Sequence, residues 1–235
     1  MSAKILVYVP MLRMYGRCLQ SILRLRWPET QLDIVFAKGG EDESLTRFER
    51  VSAKYEAGRR LCLAGGYEAM VTIEDDMIVP ADALERMWET GADVAYGLYV
   101  WRKSNKHEWN AYTEVTSGHG VSLIADARAA KAAWGTVVEV AGIGNGCTLI
   151  RRPALEAIPF KVHAAACCDW NLALEAQRLG IRQVCDLGVV CGHMTSESEA
   201  QVAFPMVTGI AGPPRIFWPD PDTEDLGQLY RVEYL

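Results

Sequence analysis

An apolar run, Val71-Thr72-Ile73, passes directly into three acidic residues, Glu74, Asp75 and Asp76. Carboxylates crowded at the tip of a buried strand repel one another and lose solvation, so they call for a counter-cation. A hard divalent ion with oxygen ligands, Mg²⁺ or Mn²⁺, is the natural one, above all if a diphosphate shares it. The period of two in an extended chain puts Glu74 and Asp76 on one side and Asp75 on the other. The first and third carboxylates can therefore face a ligand together. The plain alternative is an acidic turn leaving a strand.

Other residues with chemical potential follow in order: a glycine-rich turn from Gly142 to Gly146, Asp169 beside Trp170, and His193. The turn lacks the strand-then-helix context of a dinucleotide fingerprint, which excludes a Rossmann cofactor site. Asp169 precedes a helical stretch, where aspartate is a favoured N-cap. It also offers a carboxylate for proton transfer. His193 taken alone fits a core or surface position more readily than a metal ligand, and its place after the last strand with the acidic cluster upstream reverses that balance. Arg59 and Arg60 read as solvated residues of a helix. Trp101 reads equally as a pocket wall and as a loop anchor.

The elements that must position these residues follow from periodicity and punctuation. Ile5 to Val9 is an apolar strand closed by Pro10, and Tyr15 to Leu25 carries apolar residues at helical spacing before Trp27-Pro28. Leu32 to Ala37 is a second strand, and a polar helix spans about Ser44 to Ala64. The strand from Ala69 to Ile73 ends in the acidic cluster. Pro80 opens a helix, and Val94 to Val100 is another strand. From Trp101 to about Val121 the periodicity fails, giving a loop region. An Ala-rich helix, two strands at Val137 to Val140 and Cys147 to Ile150, a helix from Trp170 to Leu179 and a strand from Val184 to Val190 follow. The alternation predicts an α/β domain, with a mixed, mainly parallel sheet and ligands at the carboxyl ends of its strands. After Met194 five prolines and weak periodicity predict an irregular tail, so the chain divides into a domain over 1–194 and a tail over 195–235 that can act as a lid.

Composition narrows the class. The 235 residues are 50% hydrophobic and 23% charged, which suits one globular domain with a substantial core. The net charge is −6 and no cluster of Lys or Arg stands out, which argues against a nucleic-acid-binding surface. No apolar run approaches the roughly 18 residues of a membrane span, and the first apolar stretch reads as a strand, not a signal peptide. The seven cysteines form no C-x-x-C pair, so buried free thiols in a reducing cytoplasm are expected.

Taken together these segments resemble the GT-A-fold glycosyltransferases, close to their family-2-like group. Glu74-Asp75-Asp76 matches the family's D-x-D-type motif, and Gly65-Gly66-Tyr67-Glu68 resembles the turn that leads to it. The stretch from Gly144 to Arg152 resembles the family's glycine-containing turn and following strand. Cys168-Asp169-Trp170 stands where the family has an acidic pair, and Val190-Cys191-Gly192-His193 resembles its closing strand and metal-ligand histidine. Two departures stand out: Lys38-Gly39-Gly40-Glu41-Asp42 replaces the usual aspartate turn, and the acidic pair is reduced to one carboxylate. The resemblance implies a metal-dependent transfer of a sugar, a hexose for preference, from a nucleotide diphosphate sugar to an unidentified acceptor. It implies Mn²⁺ or Mg²⁺ on Asp76 and His193, with Glu74 and Asp75 positioning the ribose or metal-bound water. Pro10, Arg59, Gly144 and Trp101 are the further nucleotide-sugar contacts it suggests, and Asp169 is the general base if the reaction inverts; a retaining reaction, which needs no such base, stays open. A nucleotidyltransferase and a non-catalytic nucleotide- or sugar-binding domain are the competing readings.

Overall fold

The computed structural model describes residues 3–28, 31–39, 42–101, 109–117, 119–162, 167–203, 215–217 and 231–233. Strand β1 (Lys4–Met11) lies between β2 (Gln31–Lys38) and β3 (Ala69–Ile73), parallel to both. Helices α1 (Gly16–Leu23) and α2 (Arg47–Ala64) make the two crossovers. A capping box starts α2: the Thr46 side chain accepts from the Glu49 N–H while the Glu49 carboxylate accepts from the Thr46 N–H. Next come β4 (Met77–Ile78), α3 (Ala83–Glu89) and β5 (Val94–Leu98). A hairpin of β6 (Tyr112–Val115) and β7 (Gly120–Ser122) precedes α4 (Ala127–Ala133) and β8 (Val137–Glu139). Then β9 (Cys147–Arg151), α5 (Arg152–Ala157), α6 (Cys168–Leu179) and β10 (Gln183–Val190) complete the main layers.

The central sheet has seven strands in the order β2-β1-β3-β9-β5-β10-β8. β9 runs against both β3 and β5, and β8 runs against β10, while the other pairings are parallel. Every residue of β3 and β5 is buried, as near-continuous apolar strands are when helices cover both faces of a sheet. The chain thus forms the expected α/β domain with a mixed, mainly parallel sheet.

A second sheet, in the order β14-β13-β12-β11-β4, runs from the acidic turn into the tail. It joins β4 to β11 (Gly192–Ser196), β12 (Glu199–Val202), β13 (Arg215–Phe217) and β14 (Arg231–Glu233). Short strands whose partners are distant in sequence leave little periodicity, so neither this sheet nor the β6–β7 hairpin within the expected loop region shows in the sequence. Residues 204–214, 218–230 and 234–235 lie outside the described residues, and the expected lid falls largely on them. Six of the seven cysteines are buried, Cys167 is half-buried, and all are free thiols. No helix among the described residues is long and apolar enough to cross a membrane.

Candidate active site

The site begins where β3 ends. The Glu74 N–H donates to the Gly146 carbonyl at 2.9 Å and the Met77 N–H to the Glu74 carbonyl at 3.0 Å, so the chain turns sharply over 74–77. Asp75 points away from its two neighbours and accepts hydrogen bonds from the Leu12 and Arg13 N–H groups at 2.5 and 2.6 Å. These donors lie just past the end of β1, where no strand pairs with them. Asp75 therefore pins the β1 exit, a backbone role that the sequence did not indicate.

Glu74 accepts a hydrogen bond from the Tyr55 hydroxyl at 2.8 Å. Burial pushes its pKa up to about 7, and Asp76, with Asp169 farther off, adds to the rise. Asp76 is buried beside His193, with Oδ2 and Nε2 3.7 Å apart. His193 is fixed on β11, in register with Met77, and the Met194 N–H donates to the Asp76 carbonyl at 2.8 Å. Its Nδ1 stands 2.9 Å from the Val100 carbonyl. A carbonyl only accepts, so Nδ1 carries the hydrogen and Nε2 is the atom turned toward Asp76. The Tyr99 ring meets the imidazole edge-on, with centroids 5.6 Å apart.

In the neutral ring, Nε2 aims a lone pair at a carboxylate, an arrangement favoured only by a cation between them or a proton on the nitrogen. Among the described residues no three His, Cys, Asp or Glu side chains gather into a metal site of their own. An ion held between Asp76 and His193 would therefore have to complete its shell from outside these side chains, with phosphate and water.

The turn at Gly144-Asn145-Gly146 forms the floor between the acidic cluster and Asp169. Thr72 Oγ1 donates to the Asn145 carbonyl at 2.9 Å, and the Gly146 N–H donates to the Tyr99 hydroxyl at 3.3 Å. A Cβ on Gly144 would collide with the Tyr99 hydroxyl and the Asn110 amide, and would lie 3.2 Å from Asp169 Oδ2. Only glycine permits that approach.

Asp169 lies inside the first turn of α6, whose N-cap is Cys167, so the expectation that Asp169 is the cap is corrected. Its Oδ1 accepts from the Trp170 N–H at 2.8 Å. Burial raises its pKa above the ordinary carboxylate value, outweighing the backbone hydrogen bonds that lower it. Over it opens a cavity of about 200 Å³ walled by Trp101, Tyr112 and Trp170, with Asn110 and Cys167 at its edge. Trp101 Nε1 donates to the Tyr112 hydroxyl at 2.8 Å, and Trp170 Nε1 to the Thr116 carbonyl at 2.7 Å.

Two further expected residues lie on α2 and β1. Arg59 ties α2 to α5: Nε donates to the Leu155 carbonyl at 2.5 Å and Nη1 pairs with Glu56 at 2.9 Å. These bonds give it a structural role in joining the two helices. Pro10 stays half-buried in β1, in register with Ala37. Tyr55, Tyr99 and Asn110 were not foreseen. The one signal in the sequence is at Tyr99, a ring with a polar tip inside the apolar stretch Val94 to Val100.

No family model and no curated protein matches the chain. Among solved structures it is similar to A197 from STIV, with a TM-score of 0.57 and 15% identity, over 87% of this chain and 95% of that one. At that identity the likeness is one of fold alone. A provisionally assigned nucleotide-diphospho-sugar transferase from Desulfovibrio desulfuricans G20 overlaps 79% of this chain and 80% of its own, with a TM-score of 0.41 and 11% identity, too loosely to bear on the fold.

Proposed function

We propose that the chain is a metal-dependent glycosyltransferase that moves a sugar, a hexose for preference, from a nucleotide diphosphate sugar to an acceptor hydroxyl. The observation that carries this reading is the convergence of Glu74, Asp76 and His193 at the end of β3, with Asp169 across the Gly144 to Gly146 turn. Asp76 and His193 would hold Mn²⁺ or Mg²⁺, which when bound supplies charge neutralisation for the diphosphate leaving group. Glu74, oriented by the Tyr55 hydroxyl, stands close enough to position a ribose hydroxyl or a water. Asp169 accepts the proton of the acceptor hydroxyl, and its raised pKa makes it a stronger base for that step. A single carboxylate in this place suits an inverting reaction.

The test is donor hydrolysis and nucleoside-diphosphate binding, each with Mn²⁺ and with chelator. The reading expects both to need the metal and to fall at least several-fold in Asp76→Asn and His193→Ala. Equal affinity in chelator and in Mn²⁺, by calorimetry, would remove it.

A further inference from the structure

The cavity over Asp169 carries information about the acceptor, an inference that rests on the transferase reading above. Its lining includes Asp169 but none of Glu74, Asp76 and His193, so it lies beyond the base, away from the phosphate end of the site. At about 200 Å³ it is smaller than the roughly 300–1,000 Å³ of pockets for drug-sized ligands, and suits one ring rather than an extended chain.

The walls are aromatic and their polar atoms are already engaged. Trp101 bonds to Tyr112, Trp170 bonds to the Thr116 carbonyl, and the Tyr112 and Trp170 rings meet edge to face at 6.0 Å. With their N–H groups engaged in this way, the indoles offer the cavity ring carbon. Asp169 is the single charged residue among the described lining residues, and no Lys, Arg or His accompanies it. A phosphate or carboxylate seated there would meet the like charge of Asp169. Asn110, 2% exposed, adds an amide that a ligand with a single hydroxyl leaves unused.

We propose that this cavity seats a neutral pyranose ring, so that the acceptor is an uncharged glycan or glycoside whose terminal sugar stacks on Trp101 and Trp170 and turns one hydroxyl to Asp169. A pyranose has the needed two-sidedness: its axial C–H bonds make an apolar face, and its rim carries several hydroxyls.

The test uses the full chain with neutral methyl hexosides and disaccharides as probes, against 4-nitrophenol and glucose 6-phosphate as the phenolic and anionic arms. Binding is read by saturation-transfer NMR, with and without nucleoside diphosphate and Mn²⁺, and by protection of Cys167 from alkylation. At least one neutral sugar should bind, slow the alkylation, and lose up to about tenfold in affinity in Trp101→Ala and in Trp170→Phe. Trp101 is 44% exposed, so its truncation leaves the core intact, which the melting temperature verifies. Nucleotide binding by the parent without any sugar binding, or a preference for the phenol or the sugar phosphate, overturns the sugar seat and leaves the transferase reading standing. Sugar binding without nucleotide binding does the reverse.

Discussion

At the scale of single residues, Asp169 is the position where structural and chemical roles can be separated most cleanly. Its carboxylate accepts the Trp170 N–H within the first turn of α6, and it also faces the aromatic cavity. Asparagine keeps the hydrogen bond and the volume but cannot take a proton. Asp169→Asn should melt close to the parent and bind donor normally, yet lose at least about a hundredfold in transfer rate, the usual lower range for a general base. A fully active variant would reduce this aspartate to a helix-end residue. The strand alternation by which the sequence pairs Glu74 with Asp76 stops at Ile73, and the two carboxylates interact across the turn over 74–77 instead. The sequence did not disclose the work of Asp75 or Arg59. Their partners, the β1 exit and the α5 carbonyls, are about 60 and 100 residues away and are met only in the folded chain.

At the scale of elements, the glycine turn between β8 and β9 determines whether the two halves of the site meet. Gly144 lies against Tyr99, Asn110 and Asp169, whereas Gly16, the first residue of α1, has nothing within 4 Å of an added Cβ. Gly144→Ala must push the turn off Tyr99, and overpacking of this kind costs about 1–3 kcal/mol. Gly16→Ala should be neutral or stabilising by up to about 1 kcal/mol, since alanine is the better helix former. Chemical denaturation of both variants checks the pair, and equal stabilities would mean the turn is slack. The turn was visible in the sequence as a run of glycines, and so were the main strands and helices, each marked by periodicity and a breaker. The antiparallel sense of β9 was not, because a buried strand reads as the same apolar run in either direction. The short β4 and β11, which carry the chain from Asp76 to His193, were equally hidden: two residues of β4 are too few to alternate.

At the scale of the whole molecule, the site makes the stability of the protein depend on pH and on metal. Burial raises the pKa of Glu74, Asp75 and Asp169, Glu74 to about 7, so the folded chain holds protons on these groups more tightly than the unfolded chain does. Stability then falls as pH rises from the unfolded carboxylate values, about 4, through the folded ones. Asp42 and Glu49 shift the opposite way through hydrogen bonds from Ser44 and Thr46, but their effect lies below that window. The metal-free protein should therefore melt higher at pH 5 than at pH 8, and Glu74→Gln should flatten the difference. Mn²⁺ should restore stability chiefly at pH 8, where fewer protons compete at Glu74, and a ligand at 100 times its dissociation constant adds about 2.7 kcal/mol. Scanning calorimetry at the two pH values, with Mn²⁺ and with chelator, measures all of this at once. A melting temperature that climbs from pH 5 to pH 8 without metal would show that the acidic cluster is solvated rather than buried. A Mn²⁺ shift of equal size at both pH values would mean that the ion binds away from the acidic cluster.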